Sequence, residues 1–90
     1  MTNEEIIARK AIYEGLFSEE EIIRRITNDE DIPLHTNQGW KERGYTVKKG
    51  EKGVVCRLWR RRDSSSGQTQ FYQTKSLLFR RDQVEKEGEA

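Results

Sequence analysis

Ninety residues, 37% of them charged and 32% apolar, specify one small domain with a thin core, because at this size only about 60 to 65% of the unfolded chain's surface is buried. No apolar run approaches the roughly 20 residues that a bilayer span needs, no signal-peptide pattern is present, and the single cysteine, Cys56, excludes an internal disulfide, so a protein of the reducing cytoplasm is expected. The net charge of +1 hides a strong asymmetry: residues 1–34 hold four basic and nine acidic side chains, 35–81 twelve and three, and 82–90 one and four.

Thr2 and Glu5 have capping-box spacing with Met1 and Ile6 as a hydrophobic staple, and Ala8, Ile12 and Leu16 repeat at i, i+4. They predict a first helix over roughly 2–15, ended by Gly15. Ser18 and Glu21 repeat the capping box, with Phe17 and Ile22 as the staple, and predict a second helix over roughly 18–27 with Ile22, Ile23 and Ile26 as its buried stripe. The NDEDIPL segment, 28–34, reads as a linker. Thr36 caps a short third helix that contains Trp40 and ends at Gly44. Trp40 is expected in the core, as the large residue on which that helix anchors.

Beyond Gly44 the pattern turns to strands. TVKK, VVCRLWRRR and FYQTKSLLF, separated by GEKG and SSSGQ turns, predict a three-stranded antiparallel β-meander; Asp82 and Glu85 predict a terminal helical turn. The fold class is therefore α+β. Its organisation is an acidic helical segment (1–34), a basic α+β module (35–86) and a disordered tail (87–90) in one compact domain.

Strand alternation puts Val54, Cys56 and Leu58 on one face and Val55, Arg57, Trp59 and Arg61 on the other. Guanidinium groups interleaved with an indole suit a surface that neutralises phosphates and stacks bases. Lys48, Lys49 and Lys52 flank it in a turn whose glycines allow close backbone approach to a ligand. Set against this is the ordinary reading of the same residues, a hairpin turn with cations that protect an exposed strand from aggregation. The clustering of twelve of the seventeen Lys and Arg between 35 and 81 favours the nucleic-acid reading.

Trp40, Gly44, the VKKGEKG string at 47–53, Phe79 and the QVE of 83–85 together resemble the N-terminal domain of ArdC-type antirestriction proteins. The resemblance covers about residues 35–86 and lacks the metalloprotease-like domain of the full-length family. It implies a single-stranded DNA-binding module from a phage or mobile element, with Lys48, Lys49, Gly50 and Lys52 at the groove. Arg57, Arg60, Arg61 and Arg62 are expected to join them, Trp59 is expected to be exposed, and Tyr45 and Tyr72 either stack bases or close the core.

His35 and an inward-facing Cys56 assemble no zinc set, and no nucleophile triad, phosphate-binding loop or HExxH motif is present. No enzyme activity, cofactor, metal or membrane association is expected; the chain is expected to be a monomer or a small homo-oligomer in a bacterial cytoplasm. The expected function is non-catalytic binding of single-stranded nucleic acid, DNA favoured, in the service of anti-defence. The alternative is an anti-CRISPR or other nuclease inhibitor that binds a host effector or its ribonucleoprotein, with Glu19, Glu20, Glu21, Asp29, Glu30 and Asp31 as its protein-binding surface.

Overall fold

A computed structural model of the chain describes residues 1–88. In chain order it contains α1 (Asn3–Tyr13), α2 (Glu19–Thr27), β1 (Leu34–His35), α3 (Asn37–Glu42), β2 (Tyr45–Val47), β3 (Val54–Asp63), β4 (Thr69–Arg80), a 3-10 turn (Arg81–Gln83) and β5 (Val84–Lys86). The three helix starts follow the capping signals: Thr2, Ser18 and Thr36 accept from the backbone N–H of Glu5, Glu21 and Gly39. Gly15 and Gly44 follow the ends of α1 and α3 with positive φ, the conformation that terminates a helix at low cost in glycine.

The fold is α+β with an antiparallel three-stranded sheet, but the sheet order is β1-β4-β3, and β2 pairs with β5 in a separate two-stranded ladder. The third strand of the main sheet thus comes from Leu34 and His35, at the end of the segment read as a linker, instead of from TVKK. The GEKG segment is a crossing between two sheets and not a hairpin turn. Packing explains the difference. Val47 lies opposite Val84, and the backbone N–H of Lys48 extends that ladder to the carbonyl of Gln83. Gly53 then runs so close over β4 that a Cβ would stand 2.8 Å from the Leu77 Cβ and 3.1 Å from the Leu78 carbonyl. Its lack of a side chain serves strand packing and not ligand approach.

Two small cores lie on opposite faces of β4, and the consecutive residues Leu78 and Phe79 point into one each. On one face α1 and α2 cover Cys56, Leu58, Leu78 and Leu34. On the other, Trp40, Phe79 and Val84 pack with Tyr45 and Val47. Trp40 is buried as expected and donates its indole N–H to the Phe79 carbonyl at 2.8 Å.

The helices bury less than their patterns suggest. α1 turns Ala8 and Ala11 inward and leaves Ile12 exposed, since the small side chains let it lie close against β3. α2 packs mainly on α1 and brings only Ile22 into the core; Ile23 and Ile26, expected in the same stripe, are 54% and 60% exposed. At the C-terminus the turn is closed from Arg80, whose N–H donates to the Gln83 side chain, and not from Asp82 and Glu85. Of the expected tail, Glu87 donates its N–H to the Gly44 carbonyl at 2.8 Å, and 89–90 lie outside the described residues.

Candidate nucleic-acid interface

β3 and β4 run on past the cores as a two-stranded arm. Every residue from Trp59 round to Gln73 is exposed. The register places Val55 opposite Leu77, Arg57 opposite Lys75, Trp59 opposite Gln73 and Arg61 opposite Phe71. All eight therefore share one face, where cations alternate with apolar groups. Trp59 is 41% exposed and Phe71 67%. Leaving two large aromatics in water is unfavourable without a partner, by about 25 cal/mol for each Å² of apolar surface left uncovered.

The lysine turn stands at the foot of the same face, because Gly53 packs over Leu77 and Phe79, which continue the alternation from Phe71 and Lys75. Lys49 and Lys52 are exposed, and Gly50 takes a φ of +85. Lys48 donates from Nζ to the Asp82 carbonyl at 3.1 Å. The turn is held by Gln83, a buried side chain that donates from Nε2 to the Lys52 carbonyl at 2.8 Å and accepts from the Arg80 N–H at 2.9 Å. From this turn to the Arg61 end the face is roughly 25 Å long at about 3.3 Å per residue, a span suited to several nucleotides.

Not all of the expected cations lie here. Arg60 and Arg62 alternate onto the opposite face, with Tyr72 and Gln70 across from them, and the Arg62 guanidinium lies over the Tyr72 ring at 5.1 Å. The expected ribbon is thus split between two faces of the arm. Tyr45 is not free to stack on a base: its ring packs edge-to-face with Trp40, centroids 5.4 Å apart, and Arg81 covers it at 4.3 Å. Conversely Phe71 and Lys75, which the sequence reading did not select, belong to the face; the alternation of FYQTK against VVCRLWR carried that signal once the register was known. Arg61 is joined to Asp63 at 3.0 Å, an exposed pair worth ~0 to 1 kcal/mol that a phosphate can displace.

The acidic residues of the second helix and its exit are largely matched within the fold. Glu21 meets Arg25 at 3.2 Å, Glu30 meets Arg24 at 3.4 Å, and Asp31 meets His35 at 2.8 Å and Arg43 at 3.3 Å. Glu19 and Glu20 face solvent at the start of α2, and Asp29 occupies a positive-φ turn position after it. Cys56 is buried, and that burial pushes its thiol pKa up, away from nucleophilic chemistry. Among the described residues no three His, Cys, Asp or Glu side chains converge as a metal site, and no helix is long and apolar enough to cross a membrane.

Compared with known proteins, the chain matches no family model, no curated protein and no solved structure.

Proposed function

We propose that the chain is a non-catalytic binding module for single-stranded nucleic acid and that the Trp59 face of the β3–β4 arm, with the lysine turn at its foot, is its interface. The observation that carries this reading is the shared face itself: Arg57, Arg61 and Lys75 alternate with exposed Trp59 and Phe71, in register across two strands. Cations alone would suit any polyanion, and aromatics alone would suit a protein partner. Their alternation suits a ligand that is both charged and stackable, and single strands offer bases that a duplex hides. The resemblance of 35–86 to ArdC-type N-terminal domains supports the same reading and suggests DNA as the ligand and anti-defence in a phage or mobile element as the setting.

Titrating a labelled 15-nucleotide single strand and the matching duplex at several salt concentrations tests it. With about five phosphates neutralised, the single strand's affinity falls with a log–log slope near −3.5, roughly 100-fold between 50 and 200 mM salt. A flat salt response, or equal affinity for the duplex, refutes the reading.

A second reading has one observation in its favour. Ile23 and Ile26 are uncovered on α2, next to Glu19 and Glu20, an apolar patch with an acidic rim that suits the basic channel of a nucleic-acid-handling protein. In that case the chain inhibits a nuclease by binding the protein, and the same strand titration shows no binding.

A further inference from the structure

Trp59 and Phe71 sit on a diagonal of the arm's exposed face, since Trp59 lies opposite Gln73 and Phe71 opposite Arg61. Diagonal neighbours in an antiparallel pair are roughly 7 to 8 Å apart. Among the described residues the paired aromatic rings are His35 with Trp40 and Trp40 with Tyr45, so neither Trp59 nor Phe71 has its face closed by another ring. Both line one open cleft of about 470 Å³, which Met1, Thr2 and Asn3 wall at the α1 end and to which Arg61 and, from the strand edge, Arg60 contribute. A base stacked on both sides takes up about 7 Å, twice the ~3.4 Å rise between stacked bases, which is close to the backbone spacing of the two positions from which these rings project.

Resting on the nucleic-acid reading above, we infer that this cleft is a slot for one unpaired nucleobase, sandwiched between Trp59 and Phe71, with Arg61 reaching the adjoining phosphate. Of the two faces of the arm, this is the one with two uncovered rings. On the other, the Tyr72 ring already has Arg62 over it. The slot predicts a preference for single strands, because a base held in a duplex cannot enter without being unstacked first. It also explains the position of Asn3, whose carboxamide fixes the Trp59 backbone from outside the sheet through hydrogen bonds of 2.8 and 3.1 Å.

The experiment measures binding of fluorescein-labelled oligodeoxythymidylate, 15 nucleotides long, to the full chain and to W59A, F71A, W59A/F71A and W59F. Circular dichroism checks folding, which these exposed positions leave intact. W59A and F71A are each expected to weaken binding by roughly 5- to 150-fold with the salt slope unchanged, because a stacking contact and not a phosphate contact is lost. W59F is expected to retain most of the affinity. Because one base uses both rings, the double variant is expected to be much less impaired than the product of the two single losses. Losses that multiply mean two separate stacking sites and overturn the slot. Wild-type affinity in W59A and F71A also overturns it, while leaving the cationic interface standing if binding still falls with salt. Failure of the unmodified chain to bind any strand overturns the inference together with the reading beneath it.

Discussion

The side chain of Asn3 closes a two-point hydrogen-bonded bracket on the backbone of Trp59: its Oδ1 accepts from the Trp59 N–H at 2.8 Å, and its Nδ2 donates to the Trp59 carbonyl at 3.1 Å. A primary amide thereby does what a neighbouring strand would do at the edge of β3, and it ties the start of α1 to the arm across 56 residues of chain. Edge strands with unpaired backbone groups invite association, and this bracket occupies the outward-facing pair next to the exposed indole. Asn3→Ala is expected to cost about 1 kcal/mol, seen as a melting temperature lower by about 4 to 8 °C. Asn3→Asp keeps the acceptor and loses the donor, so a smaller fall is expected. An unchanged melting curve for Asn3→Ala would show that the bracket contributes nothing to the fold.

Gln83 is the corresponding anchor for the lysine turn. Its amide satisfies the Arg80 N–H and the Lys52 carbonyl at once from a buried position, a task that needs both a donor and an acceptor. Gln83→Leu preserves bulk but strands both backbone groups, and a destabilisation of roughly 2 to 3 kcal/mol is expected in urea unfolding. Gln83→Glu retains the acceptor only and is expected to fall between the two. If Gln83→Leu unfolds at the wild-type urea midpoint, the turn is held by other means.

Helix starts and the division of the chain into helical and strand halves were legible because they are set by local chemistry. A hydroxyl three residues before an amide N–H, at Thr2, Ser18 and Thr36, works without reference to the rest of the fold. Strand partnership was not local. YTV could extend in either ladder, and what sends it to β5 is the packing of Val47 near Val84 together with the side-chain-free crossing at Gly53, contacts between segments some thirty residues apart. The same limit hid Phe71 and Lys75: their composition is ordinary, and only the register with Trp59 and Arg57 makes them part of a face. The buried stripe on α2 failed for a related reason, since the periodicity of Ile22, Ile23 and Ile26 gives an apolar side but not how much of it a small sheet can cover.

His35 makes stability depend on pH. Its ring is largely enclosed against Trp40, with centroids 4.9 Å apart, while Nε2 meets Asp31 at 2.8 Å and Arg43 stands beyond that carboxylate. Burial is the dominant influence and lowers the imidazole pKa below its ordinary 6.5; Asp31 pulls the other way and Arg43 adds to the lowering. The unfolded chain therefore takes up a proton at a pH where folded His35 still resists it. The resulting stabilisation is complete above about pH 6.5 and is lost as pH falls through the folded pKa. Urea unfolding at pH 7.5 and pH 5 is expected to show a lower midpoint at pH 5, and His35→Gln is expected to shrink that difference. A midpoint that rises on acidification would mean that the Asp31 contact outweighs burial.

Charge reversal separates the two readings of function, and the ion pairs decide which residues to reverse. Lys49 and Lys52 are exposed at the foot of the Trp59 face, and among the described residues Lys48 is held by one carbonyl, so Lys48→Glu with Lys49→Glu and Lys52→Glu removes charge without dismantling the core. If all three contact phosphates, the salt slope for a single strand is expected to flatten by about 2 units, from near −3.5 to near −1.5. On the acidic side the informative pair is Glu19 and Glu20. Glu21 also holds Arg25 at 3.2 Å, and reversing it confounds a surface effect with the loss of a helix contact. Glu19→Lys with Glu20→Lys is expected to leave strand binding unchanged or slightly stronger, since two repelling charges are gone. If the lysine variant still binds with the wild-type slope, the cationic turn is not part of the interface, and strand binding rests on Arg57, Arg61 and Lys75 of the arm alone.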